Sequence, residues 1–462
     1  MPGVSIGPAM RIPLSTRSLF SPLIAIIALM VASISLAQER NGEFTRADYQ
    51  EALDSGLYEE AGVAAKARLE AAIQAGNVRD ISTVALLGDL AEVQRLTGDY
   101  DSAIQNYELA VEIVEEKSDM LDLALIEPLL GLGRTYLESG RADVSVEHIE
   151  RALHVRSVNE GPHSIEQAAT LEALADAHRS VGNFDDAADA AERMYLIYVR
   201  KYSDDALELV PILLKQGHIL GDIREWRRQR AVYNEALKIA ETPDGNLSKY
   251  SIRPLVGIGN SYATEYFDRY LSADDEDELP SQNLLDQAEN YFDAASGFVQ
   301  KTPDIDWQIR KDALLSAGDF YTMTDEQSLA RLMYRNAWDL LSGTDEKLRE
   351  RRIELEQIRP LLKPDPDLTV ALPAELDLED PDVELGTGYI ESQFTVTRRG
   401  KLRDIGLLEI LPERNDAIEA EVKRVLTMYI YRPRLELGIA TDTTGNTVRF
   451  EFPYVKTSPG QP

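Results

Sequence analysis

Apolar residues recur along residues 44–342 at the three-to-four spacing of amphipathic helices, which predicts pairs of helices joined by short turns. The pattern repeats every 42 residues. Its first column begins each unit with Tyr49, Ala91, Gly133, Ala175, Gly217 and Gly259. Seven residues later comes the turn position, occupied by Gly56, Gly98, Gly140, Gly182 and, as a departure, Arg224. Glycine suits such a turn because it adopts positive φ without steric cost.

Small residues in the second helix of each unit, such as Ala103 and Ala187, let the two helix backbones approach closely. The pattern reappears at Gly318, 59 residues after Gly259, which implies one 17-residue insertion containing the acidic run 274–278. A single hairpin cannot bury its own apolar face, so neighbouring hairpins must stack. We therefore predict a mainly α fold, an α-solenoid of about seven helical hairpins over residues 44–358, capped by a helix at Glu346–Ile358.

These columns resemble the tetratricopeptide repeat (TPR), and the 42-residue period resembles its longer kinesin-light-chain type. The resemblance implies that the first helix of each unit lines a concave groove that binds a peptide or an extended protein segment. Positions one and four residues past the first column are polar, which makes them candidates for partner binding: Glu92, Arg95, Arg134, Asp176, Arg179, His218 and Asn260. The alternative is that these positions are ordinary solvated helix faces.

After the helical repeats, the segment 359–385 is rich in proline and acidic residues, which predicts an extended linker. Residues 386–456 then predict a small α+β domain of β-β-α-β order. Its expected elements are strands at 390–397, 402–410 and 448–452, a hairpin turn at Arg399-Gly400, a helix from Asn415 or Asp416 to about Tyr429, and a turn at 444–446.

This C-terminal domain resembles that of the TonB family. The residues that carry the resemblance are Phe394-Thr395-Val396 with Gly400, then Tyr431, Arg432, Pro433, Arg434 and Gly438, and finally Val448, Arg449, Phe450, Glu451 and Phe452. In that family the domain binds an extended segment of an outer-membrane receptor. The resemblance therefore implies that the edge of the last strand, 448–452, binds a partner strand or a second copy of this chain.

The N-terminus predicts export. Arg11 and Arg17 precede an apolar stretch from Leu19 to Leu36, and Ser35-Leu36-Ala37 is typical of a signal-peptidase site. We interpret residues 1–37 as a signal peptide that is cleaved after Ala37. The alternative is an uncleaved membrane anchor, since the apolar stretch is about long enough to span a bilayer.

Composition narrows the function. The 462-residue chain carries 80 acidic against 48 basic residues, a formal charge of −32, which disfavours nucleic-acid binding. It has no cysteine, which fits an oxidising compartment such as a bacterial periplasm and excludes disulfides and thiol chemistry. Because no catalytic or nucleotide-binding motif is present, we expect neither an enzyme nor a cofactor. The leading hypothesis is an exported protein-interaction scaffold in the cell envelope, and the alternative is a TonB-type energy transducer with an uncleaved anchor.

Overall fold

The structure is a computed structural model, and it describes residues 44–77, 79–203, 205–273, 279–372, 385–412 and 414–455. The chain divides into two compact units, residues 1–190 and residues 191–462. The predicted signal peptide, residues 1–37, and the acidic run 274–278 lie outside the described residues.

Fourteen described helices form the repeat region and alternate as first and second helices of a hairpin. They are α1 (Arg46–Asp54), α2 (Tyr58–Gln74), α3 (Ile81–Leu96), α4 (Tyr100–Lys117), α5 (Ile126–Glu138), α6 (Ala142–Glu160), α7 (Gln167–Ser180), α8 (Phe184–Lys201), α9 (Leu209–Asp222), α10 (Trp226–Ala240), α11 (Ile252–Ser272), α12 (Asn283–Lys301), α13 (Trp307–Met323) and α14 (Gln327–Leu340). The predicted fold class, a solenoid of about seven helical hairpins, is confirmed. The helix that follows, α15 (Asp345–Glu354), ends four residues before the predicted Ile358.

Polar side chains fix where several helices begin. The hydroxyl of Thr45 accepts a hydrogen bond from the Asp48 amide while the Asp48 carboxylate accepts one from the Thr45 amide, a reciprocal cap on α1. The Asp306 carboxylate likewise accepts from the Gln308 amide at 2.8 Å at the start of α13.

The small residues of the first column make room for a large residue on the second helix. A Cβ on Gly217 would lie 2.1 Å from the Tyr233 ring, 16 residues further along the chain. A Cβ on Gly259 would lie 3.1 Å from the Phe292 ring, in the hairpin that contains the insertion. Gly259 and Phe292 are 17 residues further apart in sequence than Gly217 and Tyr233, yet the glycine meets the aromatic ring in the same way. The repeat register therefore continues across the insertion. Ala103 and Ala187 are completely buried, as their column requires.

The insertion lengthens α11. This helix has 21 residues, whereas α7 and α9 have 14 each. Tyr266 occupies the position where the earlier units have their turn glycine, so the helix continues through the place where the others end. Its added turns carry Tyr266, Phe267 and Tyr270.

The C-terminal region of the second unit is a small α+β domain. Its elements are β1 (Arg359–Leu362), a 3-10 turn at Leu368–Ala371, β2 (Leu385–Val396), β3 (Leu402–Leu411), α16 (Asp416–Leu426), β4 (Ile430–Arg432), β5 (Leu435–Glu436), β6 (Ile439–Ala440) and β7 (Thr443–Val455). The main sheet is antiparallel with the order β3-β2-β7. Helix α16 packs on one face through Ile418, Val422 and Val425, against Ile390, Phe394 and Phe450. The predicted β-β-α-β order is therefore present.

Three local predictions need correction. The turn predicted at 444–446 lies inside β7, where Gly445 has φ +75° and the strand continues pairing with β2 up to Thr443. The helix ends at Leu426 and not at about Tyr429. The segment predicted as a linker, 359–385, begins with β1, which pairs with β4. Residues 373–384 of that segment lie outside the described residues, and the predicted domain boundaries stay predictions.

Candidate partner-binding surfaces

Three of the predicted groove residues in the first unit come together. The Arg95 guanidinium on α3 donates to both carboxylate oxygens of Glu92, at 2.6 and 3.0 Å, and pairs with Glu138 on α5. The Tyr107 hydroxyl on α4 donates to Glu92 at 3.0 Å. Burial raises the pKa of Glu92, but the hydrogen bonds from Arg95 and Tyr107 and the charge of Arg134 outweigh it, so the pKa lies below its ordinary value. A partner would have to compete with these internal pairs.

The remaining predicted groove residues do not join this cluster. Asp176 and Arg179 on α7 form a pair at 3.3 Å. In the second unit, the exposed ring of His218 meets Tyr233 edge-on at 6.2 Å, and Asn260 is exposed on α11. Nothing in these contacts distinguishes the four side chains from an ordinary solvated helix face, so their role in partner binding stays a prediction.

The second unit contains a buried ion-pair cluster built on Arg432 of β4. The Arg432 guanidinium donates to both carboxylate oxygens of Asp319 on α13, from Nε at 2.8 Å and from Nη2 at 2.6 Å. Its Nη1 donates to the Glu354 carboxylate at 2.7 Å and to the Glu354 carbonyl at 3.0 Å. The Tyr334 hydroxyl donates to Asp319 at 2.9 Å. Arg432 thus links the C-terminal domain both to the last helical repeat and to the end of α15.

The electrostatics of this cluster favour its charged state. Burial lowers the pKa of the Arg432 guanidinium, but the charge of Asp319 and the hydrogen bonds to both acids raise it by more. The pKa therefore lies above its ordinary value, and the group stays protonated. Burial raises the pKa of Glu354, but hydrogen bonds from Arg359 and Arg432 outweigh it and hold that pKa below its ordinary value. Both partners are therefore charged across the physiological range.

The rest of the predicted TonB-family motif surrounds this contact. Tyr431 packs in the core of the sheet domain, 5.9 Å from the Phe394 ring, and Pro433 is buried beside it. Arg434 pairs with Glu436 at 2.8 Å on the surface. Gly438 lies in the turn between β5 and β6, where a Cβ would stand 3.2 Å from Trp338 of α14.

Gly400 also lies in the contact between the sheet domain and the last repeat. Its φ is +79°, and a Cβ there would lie 2.2 Å from the Tyr431 carbonyl and 2.9 Å from Thr322 of α13. Its own carbonyl accepts a hydrogen bond from the Tyr431 amide at 2.9 Å. The Leu435 amide donates to the Leu355 carbonyl at 2.7 Å, and the Leu435 side chain is buried in the core of the last helical repeats. The sheet domain is therefore docked on the last repeat within the second unit.

The last strand, β7, is one edge of the main sheet. Val448, Phe450 and Phe452 face the helix and its core, as predicted, while Arg449 and Glu451 are exposed on the opposite face. The Arg449 guanidinium lies 4.1 Å from the centre of the Tyr389 ring and pairs with Glu391 at 3.0 Å. The strand thus presents a polar outer face and a backbone edge.

A cleft of about 680 Å³ opens between the last repeats and the sheet domain, within the second unit. Its helical wall consists of Tyr266 and Tyr270 on α11, Glu289 on α12 and Phe320 on α13. The sheet domain contributes Lys401, Leu362 of β1, Ile430 of β4 and the residues that follow α16. The size is that of a pocket for a small molecule or a few residues of a peptide.

The cleft is acidic. Asp286, Glu289 and Glu326 line it against a single basic residue, Lys401. None of the three carboxylates has a Lys or Arg nitrogen within 4 Å among the ion pairs of the described residues. Burial and the charges of Asp293, Glu326 and Asp286 raise the pKa of Glu289, because ionising it adds a negative charge beside others.

This cleft was not predicted from the sequence. A signal for it exists in Tyr262, Tyr266 and Tyr270, which follow one another at the four-residue spacing of one helix face, just where the repeat should turn. The opposite wall could not be found in this way, since Lys401 and Ile430 are more than a hundred residues distant in sequence.

Over the described parts of the chain, no group of three or more His, Asp or Glu side chains is placed to hold a metal ion. In those same parts, none of the helices combines the length and apolar character needed to cross a membrane.

Family models confirm the helical repeats. Residues 125–198 and residues 86–121 each match a model of the tetratricopeptide repeat. No curated protein matches the chain. The chain therefore contains tetratricopeptide repeats, and the TonB-like character of its C-terminal domain stays a prediction.

Solved structures similar to this chain include kinesin-light-chain proteins. A kinesin light chain protein with nearly identical TPR-like repeats from Podosopora anserina is 14% identical, with a TM-score of 0.37, over 48% of this chain and 98% of that one. BtubC (BKLC) from P. vanneervenii is 19% identical, with a TM-score of 0.37, over 52% and 92%. A Rap protein complexed with competence and sporulation factor is 13% identical, with a TM-score of 0.35, over 69% and 81%.

Proposed function

We propose that this chain is an exported scaffold that binds other proteins through its tetratricopeptide repeats and its TonB-like C-terminal domain. The observation that carries the proposal is the docking of the sheet domain on the last repeat through Arg432, which makes the two into one composite surface. A surface of this kind can hold a partner at two places, the acidic cleft and the edge of β7, which pairs with no second strand among the described residues and has the 3-10 turn Leu368–Ala371 beside it.

The edge of β7 suits the addition of a partner strand. Pro453 pairs with Thr387 of β2, and a proline inside a sheet must point its nitrogen away from the neighbouring strand. Arg449 and Glu451 lie four and two residues before Pro453, and no bulge interrupts the pairing with β2 between them. Because the amides of alternate residues in a strand point the same way, the amides of Arg449 and Glu451 also point away from β2. These donors supply the hydrogen bonds that an extended segment of an outer-membrane protein, or a second copy of this chain, would accept.

We also propose that residues 1–37 are removed and that the protein acts in the periplasm, with partners in the cell envelope. The support is the order of a basic region, an apolar stretch and small residues before Gln38. The second candidate, an energy transducer with an uncleaved anchor, keeps the same apolar stretch in the membrane. N-terminal sequencing of the exported protein separates the two, since a first residue of Gln38 excludes the anchor.

Site-specific photocrosslinking tests the scaffold function. A photoreactive amino acid replaces Tyr270 in the cleft, Glu451 at the β7 edge or, as a control, the exposed Glu346 on α15. We expect discrete crosslinks to envelope proteins from the first two positions and none from Glu346. Equal, diffuse crosslinking from all three positions would contradict the proposal.

A further inference from the structure

We infer that the cleft between the last repeats and the sheet domain binds a basic segment of a partner protein, with an Arg or Lys side chain between the Tyr266–Tyr270 rings and Glu289. This inference rests on the proposed scaffold function and names the chemistry of the partner at one of its surfaces.

The walls of the cleft carry more negative than positive charge. Asp286, Glu289 and Glu326 face the same space, and Lys401 is the one basic residue among the described lining residues. Elsewhere in the second unit a buried acid has a basic partner, as Glu265 has in Arg230 at 2.6 Å on the neighbouring helix. Carboxylates left together in a cleft attract a cation from solution, and a cation from a partner would restore the balance.

The helical wall of the cleft is aromatic where α11 lines it. The Tyr266 and Tyr270 rings stack 6.2 Å apart with an angle of 9° between their planes, and Phe267 meets Tyr266 edge-on at 5.3 Å. Tyr270 is 46% exposed. An aromatic face next to carboxylates is a favourable place for a guanidinium, which stacks on the ring while its N–H groups donate to the acids. The protein uses the same arrangement internally, where Arg230 lies 4.3 Å from the Tyr262 ring and pairs with Glu265.

The cleft exists only because of two departures from the regular repeat. The insertion extends α11 far enough to place Tyr266 and Tyr270 there, and the docked sheet domain closes the opposite side with Lys401 and Ile430. Burial and the charges of Asp293, Glu326 and Asp286 raise the pKa of Glu289. A titratable residue that lines a cleft and has a shifted pKa is a candidate for binding.

The test uses the mature chain and a short fluorescein-labelled peptide of alternating Arg and Gly. The matched probe carries citrulline, the neutral isostere of Arg, at each Arg position. We expect fluorescence anisotropy to show tighter binding of the Arg peptide. The cleft variant Asp286→Asn/Glu289→Gln/Glu326→Gln should weaken it by about tenfold.

A control is essential because the whole chain is acidic. The variant Asp244→Asn/Asp304→Asn/Glu346→Gln removes as many charges from exposed positions of the same unit outside the cleft, and it should change the affinity by less than about twofold. Tyr270→Ala should weaken the binding, whereas Tyr270→Phe, which keeps the ring, should not. Glu289→Gln should raise the thermal midpoint of the protein while it weakens the binding, an opposition that a purely structural residue would not show.

Equal affinity for the Arg and citrulline peptides, or an equal loss in the cleft and control variants, would overturn the inference. If that happened while Glu451 still gave discrete crosslinks, the scaffold function would stand and only the basic partner would be wrong. Loss of crosslinks at both Tyr270 and Glu451 would instead contradict the scaffold function itself.

Discussion

Nη2 of Arg432 lies 2.6 Å from Oδ2 of Asp319, a residue 113 positions earlier in the chain. Arg432 is 4% exposed, its Nε also donates to Asp319, and its Nη1 donates to Glu354. Two acids from the helical part and one base from the sheet domain thus form a single buried group. Because each charge depends on the others for its hydrogen bonds, the last repeat and the sheet domain should behave as one body.

Replacing Arg432 tests this dependence. Arg432→Ala leaves the partly buried Asp319 without its Arg partner and leaves Glu354 paired with Arg359 alone, so we expect it to lower the free energy of unfolding by about 3 kcal/mol. All three tryptophans of the chain, Trp226, Trp307 and Trp338, belong to the second unit, so urea unfolding followed by tryptophan fluorescence reports on this unit.

Arg434 provides the matched control within the same motif. It pairs with Glu436 at 2.8 Å, but both side chains are roughly half exposed. Arg434→Ala should therefore cost less than about 1 kcal/mol. Similar losses for the two variants would mean that the motif acts by general packing and not through the buried ion pairs.

The depressed pKa of Glu354 predicts how the docking responds to acid. A carboxyl whose pKa is lower in the folded than in the unfolded state stabilises the fold above its unfolded value of about 4.5. This contribution is lost as the pH falls through the folded pKa. We expect urea unfolding of the wild type to show a steeper loss of stability below about pH 4.5 than that of Glu354→Gln. Parallel curves would show that Glu354 does not take part in the acid response.

The repeat register predicts where the first unit tolerates no added volume. Ala103 is completely buried between two helices, so Ala103→Leu should lower the stability by about 1–3 kcal/mol through overpacking. Ala71, exposed on α2, is the control, and Ala71→Leu should change it by less than about 0.5 kcal/mol. Thermal unfolding followed by circular dichroism compares the two, and matching melting curves would refute the register.

The sequence was informative wherever the contacts are local or periodic. The pairing of Gly217 with Tyr233 follows from a fixed separation within one hairpin, and the pairing of Gly259 with Phe292 follows once the insertion is counted. The inward set Val448, Phe450 and Phe452 follows from the alternation of a strand. These features depend on the period of the helix or strand and not on where distant elements lie.

Contacts between distant segments were not predictable. Nothing near Arg432 in the sequence indicates Asp319 or Glu354, and nothing in the proline-rich segment indicates that Arg359–Leu362 pairs with β4. Turn chemistry at 444–446 predicted a turn before the last strand, but pairing with β2 extends β7 through Gly445 to Thr443. The walls of the acidic cleft come from separate segments between residues 266 and 430, so periodicity alone could not have brought them together.

The proposed pairing at the edge of β7 leads to a prediction about partner binding. Arg449→Pro should remove an outward amide donor and abolish the crosslinks obtained from the Glu451 position, while the core face of the strand stays unchanged. Arg449→Ala is the control, since it removes the contacts with Tyr389 and Glu391 but keeps the amide. Equal loss in both variants would assign the binding to the side chain and contradict strand addition.

The most direct test of the central claim, that the sheet domain and the last repeat are one body, is to cut the chain in the segment that connects the 3-10 turn to β2. A site-specific protease sequence is inserted between Glu375 and Leu376, the protein is cleaved, and the products are separated by gel filtration without denaturant. We predict that both fragments elute together, held by the pairing of β1 with β4 and by the Arg432 ion pairs, and that Arg432→Ala separates them. Wild-type fragments that elute separately would contradict the account.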